Sequence, residues 1–376
     1  MKKSYIYILI VILMITLVII NQKKDSKSFI VNGVKYSTSL DGNSIDSFPS
    51  KGDYEVEVEC TNAKGSWNYS KWVARINNIT GKVSCNISFT SKTPTNINNY
   101  IKGLEGTTQG TGDVVNENGY RYEGKNPNNY IYFNNELWRI IGVFDSSSHG
   151  KTGEYLTKII RNDSLGGYVW DKSSKNNWST SSLYNLLNLN YYNATDGTSG
   201  GNCYQGSTTI IGNCDYTETG IQSEYRNMVE NVTWYLGGKD SADYTAEAFY
   251  IGERDSSSIY SGNASSVTGY IGLMYASDYG YSVLSSSCTR TTNLGSYNTS
   301  DCGGSSWLMK TIGECTITHY STSSGYLFYF NYMVNLNYST VSSNYTVRPV
   351  LYLKSNVQVY AGDGSISNPY QIKLAS

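Results

Sequence analysis

Seven cysteines and two histidines are the side chains best suited to nucleophilic, redox or metal chemistry in this chain of 376 residues. No C-x-x-C pair occurs among the cysteines. Cys315 and His319 form the one C-x3-H pair. On a strand, Cys315, Ile317 and His319 share a face, and four residues at ~3.3 Å each set the outer two roughly 13 Å apart. Zinc bonds are only about 2.0–2.3 Å long, so a single ion cannot bridge that gap. Ser148-His149-Gly150-Lys151 fits S-x-x-K but lacks the companion motifs of penicillin-binding enzymes, so it reads as loop. Gly362-Asp363-Gly364-Ser365 has too few acidic groups for a calcium loop and reads as a tight turn. These residues give no catalytic set, and no metal or cofactor is expected.

The cysteines instead suit staples. Cys203 with Cys214 and Cys288 with Cys302 bracket short polar loops. Cys60 with Cys85 closes roughly 26 residues, worth about 3 kcal/mol on the chain-entropy model. Three such bridges place the chain in an oxidising, extracytoplasmic setting. Cys315 is left over, as a buried inert thiol, a reactive thiol or an intermolecular link.

Two charged residues stand inside apolar, aromatic phrases: Asp278 and Arg348. Each reads as a ligand contact or as a buried ion pair or backbone anchor, and the second role is the expected one. Tyrosine is the other oddity, with 36 Tyr against 8 Phe and 7 Trp. Tyr326, Tyr329, Tyr332, Tyr338 and Tyr345 cluster among Asn and Ser near the C-terminus. A rigid ring with a polar tip is the mix that recurs in binding surfaces, so these five are candidate ligand contacts.

The elements that must hold these groups follow from hydrophobic pattern. Met1-Lys2-Lys3 precedes an apolar run, Tyr5 to Ile20. As a helix it spans about 24 Å of a roughly 30 Å hydrocarbon layer, and Lys2, Lys3, Lys23 and Lys24 can snorkel at its ends. No small-residue cleavage site follows it. Residues 1–28 are therefore expected to be an uncleaved transmembrane anchor with the lipid bilayer as partner and the bulk of the chain outside. Residues 29–92 read as a small all-β module, with alternating strands at 53–60 and 82–89. Residues 93–118 read as a Thr-, Asn- and Gly-rich linker.

From residue 119 to 376 the pattern is mixed. Tyr130–Phe133 and Leu137–Phe144 flank Asn134-Asn135, a hairpin signal. Tyr155–Arg161 reads as a strand and Ser181–Leu189 as a short capped helix. Ile221, Tyr225, Met228 and Val232 make one apolar stripe, predicting a helix over 221–234. A last hairpin is expected to join Val350–Leu353 to Tyr370–Ile372 through Gly362–Ser365.

Composition excludes further classes. Only 16% of residues are charged, against roughly 25% in an average soluble protein. The net charge of −1 argues against a nucleic-acid binder. An aromatic content of 14% argues against disorder.

Four phrases carry a family resemblance. They are Gly124-Lys125-Asn126-Pro127-Asn128-Asn129-Tyr130, then Asn135 to Phe144, Gly272 to Tyr281 and Val347 to Leu353. They resemble uncharacterised extracytoplasmic bacterial proteins with a formylglycine-generating-enzyme-like, C-type-lectin-like domain, and 29–92 is similar to a β module often fused ahead of it. The resemblance implies an α+β fold for 119–376, with short helices, small twisted sheets and long ordered loops. It also implies ligand contacts just ahead of the final strand. The close cysteine pair of that enzyme's active site is absent here, as are the Glu-Pro-Asn and Gln-Pro-Asp tripeptides of calcium lectins. The expected function is a membrane-anchored surface protein that recognises a glycan or a protein without catalysis. The alternatives are an envelope-acting enzyme and a structural or pilus-associated component.

Overall fold

A computed structural model describes residues 26–31, 34–39, 54–69, 71–299, 302–309, 313–331 and 334–375. The chain divides into two compact units, 1–93 and 94–376. No described helix is long and apolar enough to cross a membrane. The apolar run expected to anchor the chain, Tyr5 to Ile20, lies outside the described residues.

The first unit holds two sheets. Its four-stranded sheet runs Val34–Ser39, Ser26–Val31, Val73–Asn77 and Lys64–Asn68. Its second is the ribbon Tyr54–Thr61 with Ser84–Ser91, whose register sets Cys60 opposite Cys85. The Cys60–Cys85 bridge lies against Gly65, where an added Cβ would sit 2.9 Å from Cys60 Sγ. Trp67, Trp72 and Phe89 pack with ring centroids 5.2–6.1 Å apart, so the tryptophans cover Phe89.

The second unit overturns the α+β lectin-like expectation. The described residues are mostly β, with 37% strand and 16% helix, and the largest sheet curls into a half-barrel. That ten-stranded sheet centres on Glu136–Phe144, which pairs with Tyr120–Asn126, Tyr130–Phe133 and Leu156–Arg161. Trp138, Ile140, Ile141, Val143 and Phe144 are all buried, as a strand covered on both faces requires. Asn134 and Asn135 both take positive φ, 55° and 60°, and turn the hairpin. Register shifts between Ile140 and Gly142, and a Cβ on Gly142 would lie 2.4 Å from Tyr120 O. Only glycine allows the neighbouring strand that close at this bulge.

A six-stranded sheet is the other main layer. It runs Gly167–Val169, Asn344–Thr346, Glu314–Tyr320, Tyr326–Phe330 and Leu336–Thr340, with Gly238–Lys239 joining Glu314–Tyr320. Helices are short; Ala246–Arg254, at nine residues, is the longest α-helix described.

Three local expectations change. Residues 93–118, read as a linker, are built into the second unit. Thr95–Asn96 and Thr111–Asn116 join the large sheet, and Ile97, Ile101 and Val114 are fully buried. The 221–234 stripe forms a helix only at Ser223–Arg226. Val232–Tyr235 is a strand paired to Ser266–Gly269, because Val-Thr-Trp-Tyr fits a pleated surface better than a helix. In the last region, Val357–Ala361 is the strand that pairs with Tyr370–Leu374 around Gly362–Ser365. Val350–Tyr352 joins Leu156–Arg161 instead.

Candidate functional site

Tyr326, Tyr329, Tyr338 and Tyr345 fall on two faces of the six-stranded sheet. Successive strand residues point to opposite sides, so Tyr326 and Phe328 share one face and Leu327 and Tyr329 the other. Tyr338 lies opposite Phe328 on the edge strand Leu336–Thr340. Tyr320, at the end of Glu314–Tyr320, completes this face: its ring is 4.7 Å from Tyr338, 6.2 Å from Tyr326 and 5.7 Å from Phe328. Phe249 of the helix Ala246–Arg254 packs edge-on beneath Phe328 at 5.1 Å and fixes the floor. Tyr326 and Tyr338 remain 37% and 45% exposed.

Tyr329 and Tyr345 meet each other on the opposite face at 5.4 Å. Tyr345 is buried, donates its hydroxyl to Thr340 O at 2.6 Å, and has its pKa pushed up to about 12 by burial. Cys315 stands opposite Tyr329 in register, buried and unbridged, with its thiol pushed far up by burial. Tyr332 lies outside the described residues. The five candidates are thus not one cluster: two form an exposed face, two belong to the interior side. Tyr320, which the sequence reading passed over, joins the exposed pair. Its signal was the alternation itself, since it closes a strand whose Thr316 and Thr318 share its parity.

Charge is sparse along this face, although Lys239 on the neighbouring strand stands in register with Tyr320. From Ser321 to Tyr345 the sequence carries no charged residue. The edge is partly closed by its own side chain, because Asn337 Oδ1 accepts the Tyr338 N–H at 2.8 Å.

A separate set of titratable groups is buried in the interior. Asp278, at the start of the helix Ala276–Ser282, accepts Arg121 Nη1 at 3.0 Å on Oδ1. Its Oδ2 accepts Lys158 Nζ at 2.5 Å and Tyr275 N at 2.9 Å. All three charged side chains are at most 1% exposed. Burial pushes Lys158 down to about 8, even with Asp278 pulling the other way. Burial also opposes the Asp278 charge, but Lys158 and Arg121 outweigh it and hold that carboxyl at about 2. Next door, Glu253 accepts Ser277 N at 3.0 Å, Ser277 Oγ at 2.5 Å and Thr318 Oγ1 at 2.8 Å, and burial raises its pKa. Arg348 forms a second buried pair with Glu314, through Nε–Oε1 at 2.6 Å and Nη2–Oε2 at 2.9 Å, and also donates to Leu308 O. Asp278 and Arg348 are therefore ion-pair anchors that tie strands to loops.

The remaining sequence candidates resolve simply. His149 is buried and neutral, with Nδ1 accepting Lys151 N at 3.1 Å and Nε2 at 3.1 Å from Phe144 O. Ser148 Oγ meets Tyr250 OH at 3.0 Å, while Lys151 pairs with Glu230 at 2.8 Å, so the S-x-x-K residues serve different partners. His319 is buried with neither ring nitrogen hydrogen-bonded, and burial lowers its pKa to about 4. Among the described residues no group of three His, Cys, Asp or Glu side chains could hold a metal ion.

The bridges are Cys60–Cys85, Cys203–Cys214 and Cys288–Cys302. Three disulfides fit an extracellular protein. No family model, no curated protein and no solved structure matches the chain.

Proposed function

We propose that this chain is a cell-surface recognition protein that binds an uncharged glycan, or a protein surface of like chemistry, on Tyr320, Tyr326 and Tyr338. The observation that carries this reading is the pair of exposed rings, Tyr326 and Tyr338, braced by Tyr320 over a buried Phe328–Phe249 floor. Rings fixed in place lose little entropy when a ligand stacks on them. Their hydroxyls, with neighbouring Asn, Ser and Thr, supply neutral hydrogen bonds, and the segment 321–345 that carries Tyr326 and Tyr338 brings no charge of its own. Sugar rings offer the matching surface, with C–H faces for stacking and hydroxyls at the rim. The three disulfides support an extracellular location for this face. Membrane attachment through the apolar run Tyr5–Ile20 belongs to the same proposal.

A glycan and protein array probed with the purified protein, wild type against the Tyr326→Ala, Tyr338→Ala double variant, tests the reading. Binding that disappears in a variant of unchanged thermal stability supports it. Binding that survives the double change places recognition elsewhere.

A further inference from the structure

We propose that Lys158 and Asp278 condense into an intramolecular amide that joins the strand Leu156–Arg161 covalently to the helix Ala276–Ser282. The two side chains are already in contact, Nζ to Oδ2 at 2.5 Å, and neither is more than 1% exposed. Tyr275 lies 4.5 Å from Nζ, and Phe144, Tyr352 and Trp234 lie 5.7–5.8 Å from it. This aromatic wall holds the reactants together and keeps bulk water from the product. Fixed juxtaposition removes most of the entropic barrier that the same reaction meets in solution.

The surrounding charges bear on each step of amide formation. Burial, with the charges of Arg254 and Arg121 acting in the same direction, favours proton loss from the lysine, while Asp278 opposes it. Lys158 passes one proton along the short contact to Oδ2, an uphill transfer because the carboxyl sits at about 2 and the ammonium at about 8, leaving a neutral amine and a neutral acid. The amine lone pair then attacks Cγ, and the carbonyl electron pair moves onto Oδ1. Arg121 Nη1, 3.0 Å from Oδ1, stabilises the charge growing there. A second proton moves from the nitrogen to Oδ2, the Cγ–Oδ2 bond breaks, and water leaves. One ammonium and one carboxylate become one amide and one water, with no oxidant or cofactor. Arg121 stays on the amide oxygen, with its guanidinium against the Phe144 and Tyr281 rings at 4.5 and 4.6 Å.

The link would close a loop of 120 residues in sequence and tie the half-barrel to the helix whose Ala276 N is held by Thr318 of the other sheet. The test is mass spectrometry of the purified wild-type protein, fully reduced and denatured, followed by protease mapping. The expected result is a mass one water below that of the reduced sequence and a branched peptide joining the Lys158 and Asp278 segments. Linear peptides carrying an unmodified Lys158 and an unmodified Asp278, with no branched species, overturn the proposal. A water loss that maps to any other position overturns it equally. Because wild type alone decides the matter, a variant that fails to fold cannot obscure the answer.

Discussion

Tyr326 and Tyr338 meet edge to face across two adjacent strands, with ring centroids 5.9 Å apart and planes at 86°. Edge-to-face packing satisfies the ring quadrupoles and fixes each ring against the other. Both still expose more than a third of their surface. An aromatic pair that is rigid yet open is the structural basis for the recognition proposed above.

The Arg348–Glu314 pair predicts a large and specific loss. Arg348→Met removes the bidentate guanidinium from the Glu314 carboxylate, which is 1% exposed. Breaking one side of a buried pair costs about 3–5 kcal/mol. Urea unfolding should therefore show a stability loss of that order. A loss below about 1 kcal/mol would mean that water or another cation replaces the guanidinium.

His319 predicts an acid limb. Its pKa falls from 6.5 to about 4 on folding, because burial disfavours the charged ring. The unfolded chain therefore binds more protons between those values, and this contribution to stability, present above pH 6.5, is lost as pH falls toward 4. A shift of this size corresponds to ~3 kcal/mol. His319→Leu should flatten stability between those pH values relative to wild type. An unchanged slope would assign the limb to other groups.

The buried tyrosines predict the opposite behaviour in base. Burial raises Tyr122, Tyr191, Tyr275 and Tyr279 from their ordinary value of 10.0. The folded state keeps protons that the unfolded state releases, so stability is full below pH 10 and falls as pH rises beyond it. Tyrosinate absorbance of these residues should appear together with unfolding. Ionisation of all tyrosines well before loss of tertiary structure would contradict the burial.

The Cys203–Cys214 bridge encloses a sequence separation of 11 residues, and both cysteines are buried. Replacing both by Ser should cost about 3 kcal/mol by chain entropy. The change should leave binding at Tyr326 and Tyr338 intact, which separates a staple from a binding loop.

Local pattern made part of this architecture legible. Alternation marked a strand at 53–60, found at Tyr54–Thr61, and Asn134-Asn135 marked the central hairpin, because strand parity and positive φ are written in adjacent residues. Long-range pairing was not. Val232–Tyr235 looked helical by its apolar spacing, yet finds a strand partner at Ser266–Gly269 that no local window contains. The ionic core was equally hidden, since Arg121, Lys158 and Asp278 meet only through tertiary structure. A hint existed: Lys158 sits inside Leu-Thr-Lys-Ile-Ile, where a strand offers a lysine no solvent face. The tyrosine cluster was read as one surface because composition ignores parity. Applying the two-residue period to Tyr326, Phe328 and Tyr329 separates its faces from sequence alone.

The most direct measurement is ligand affinity, by calorimetry or surface plasmon resonance, of wild type and the Tyr326→Ala, Tyr338→Ala variant for the strongest array hit. The variant is expected to bind at least about tenfold more weakly, equal to ~1.4 kcal/mol, with unchanged thermal stability. Equal affinity of the two proteins would contradict it.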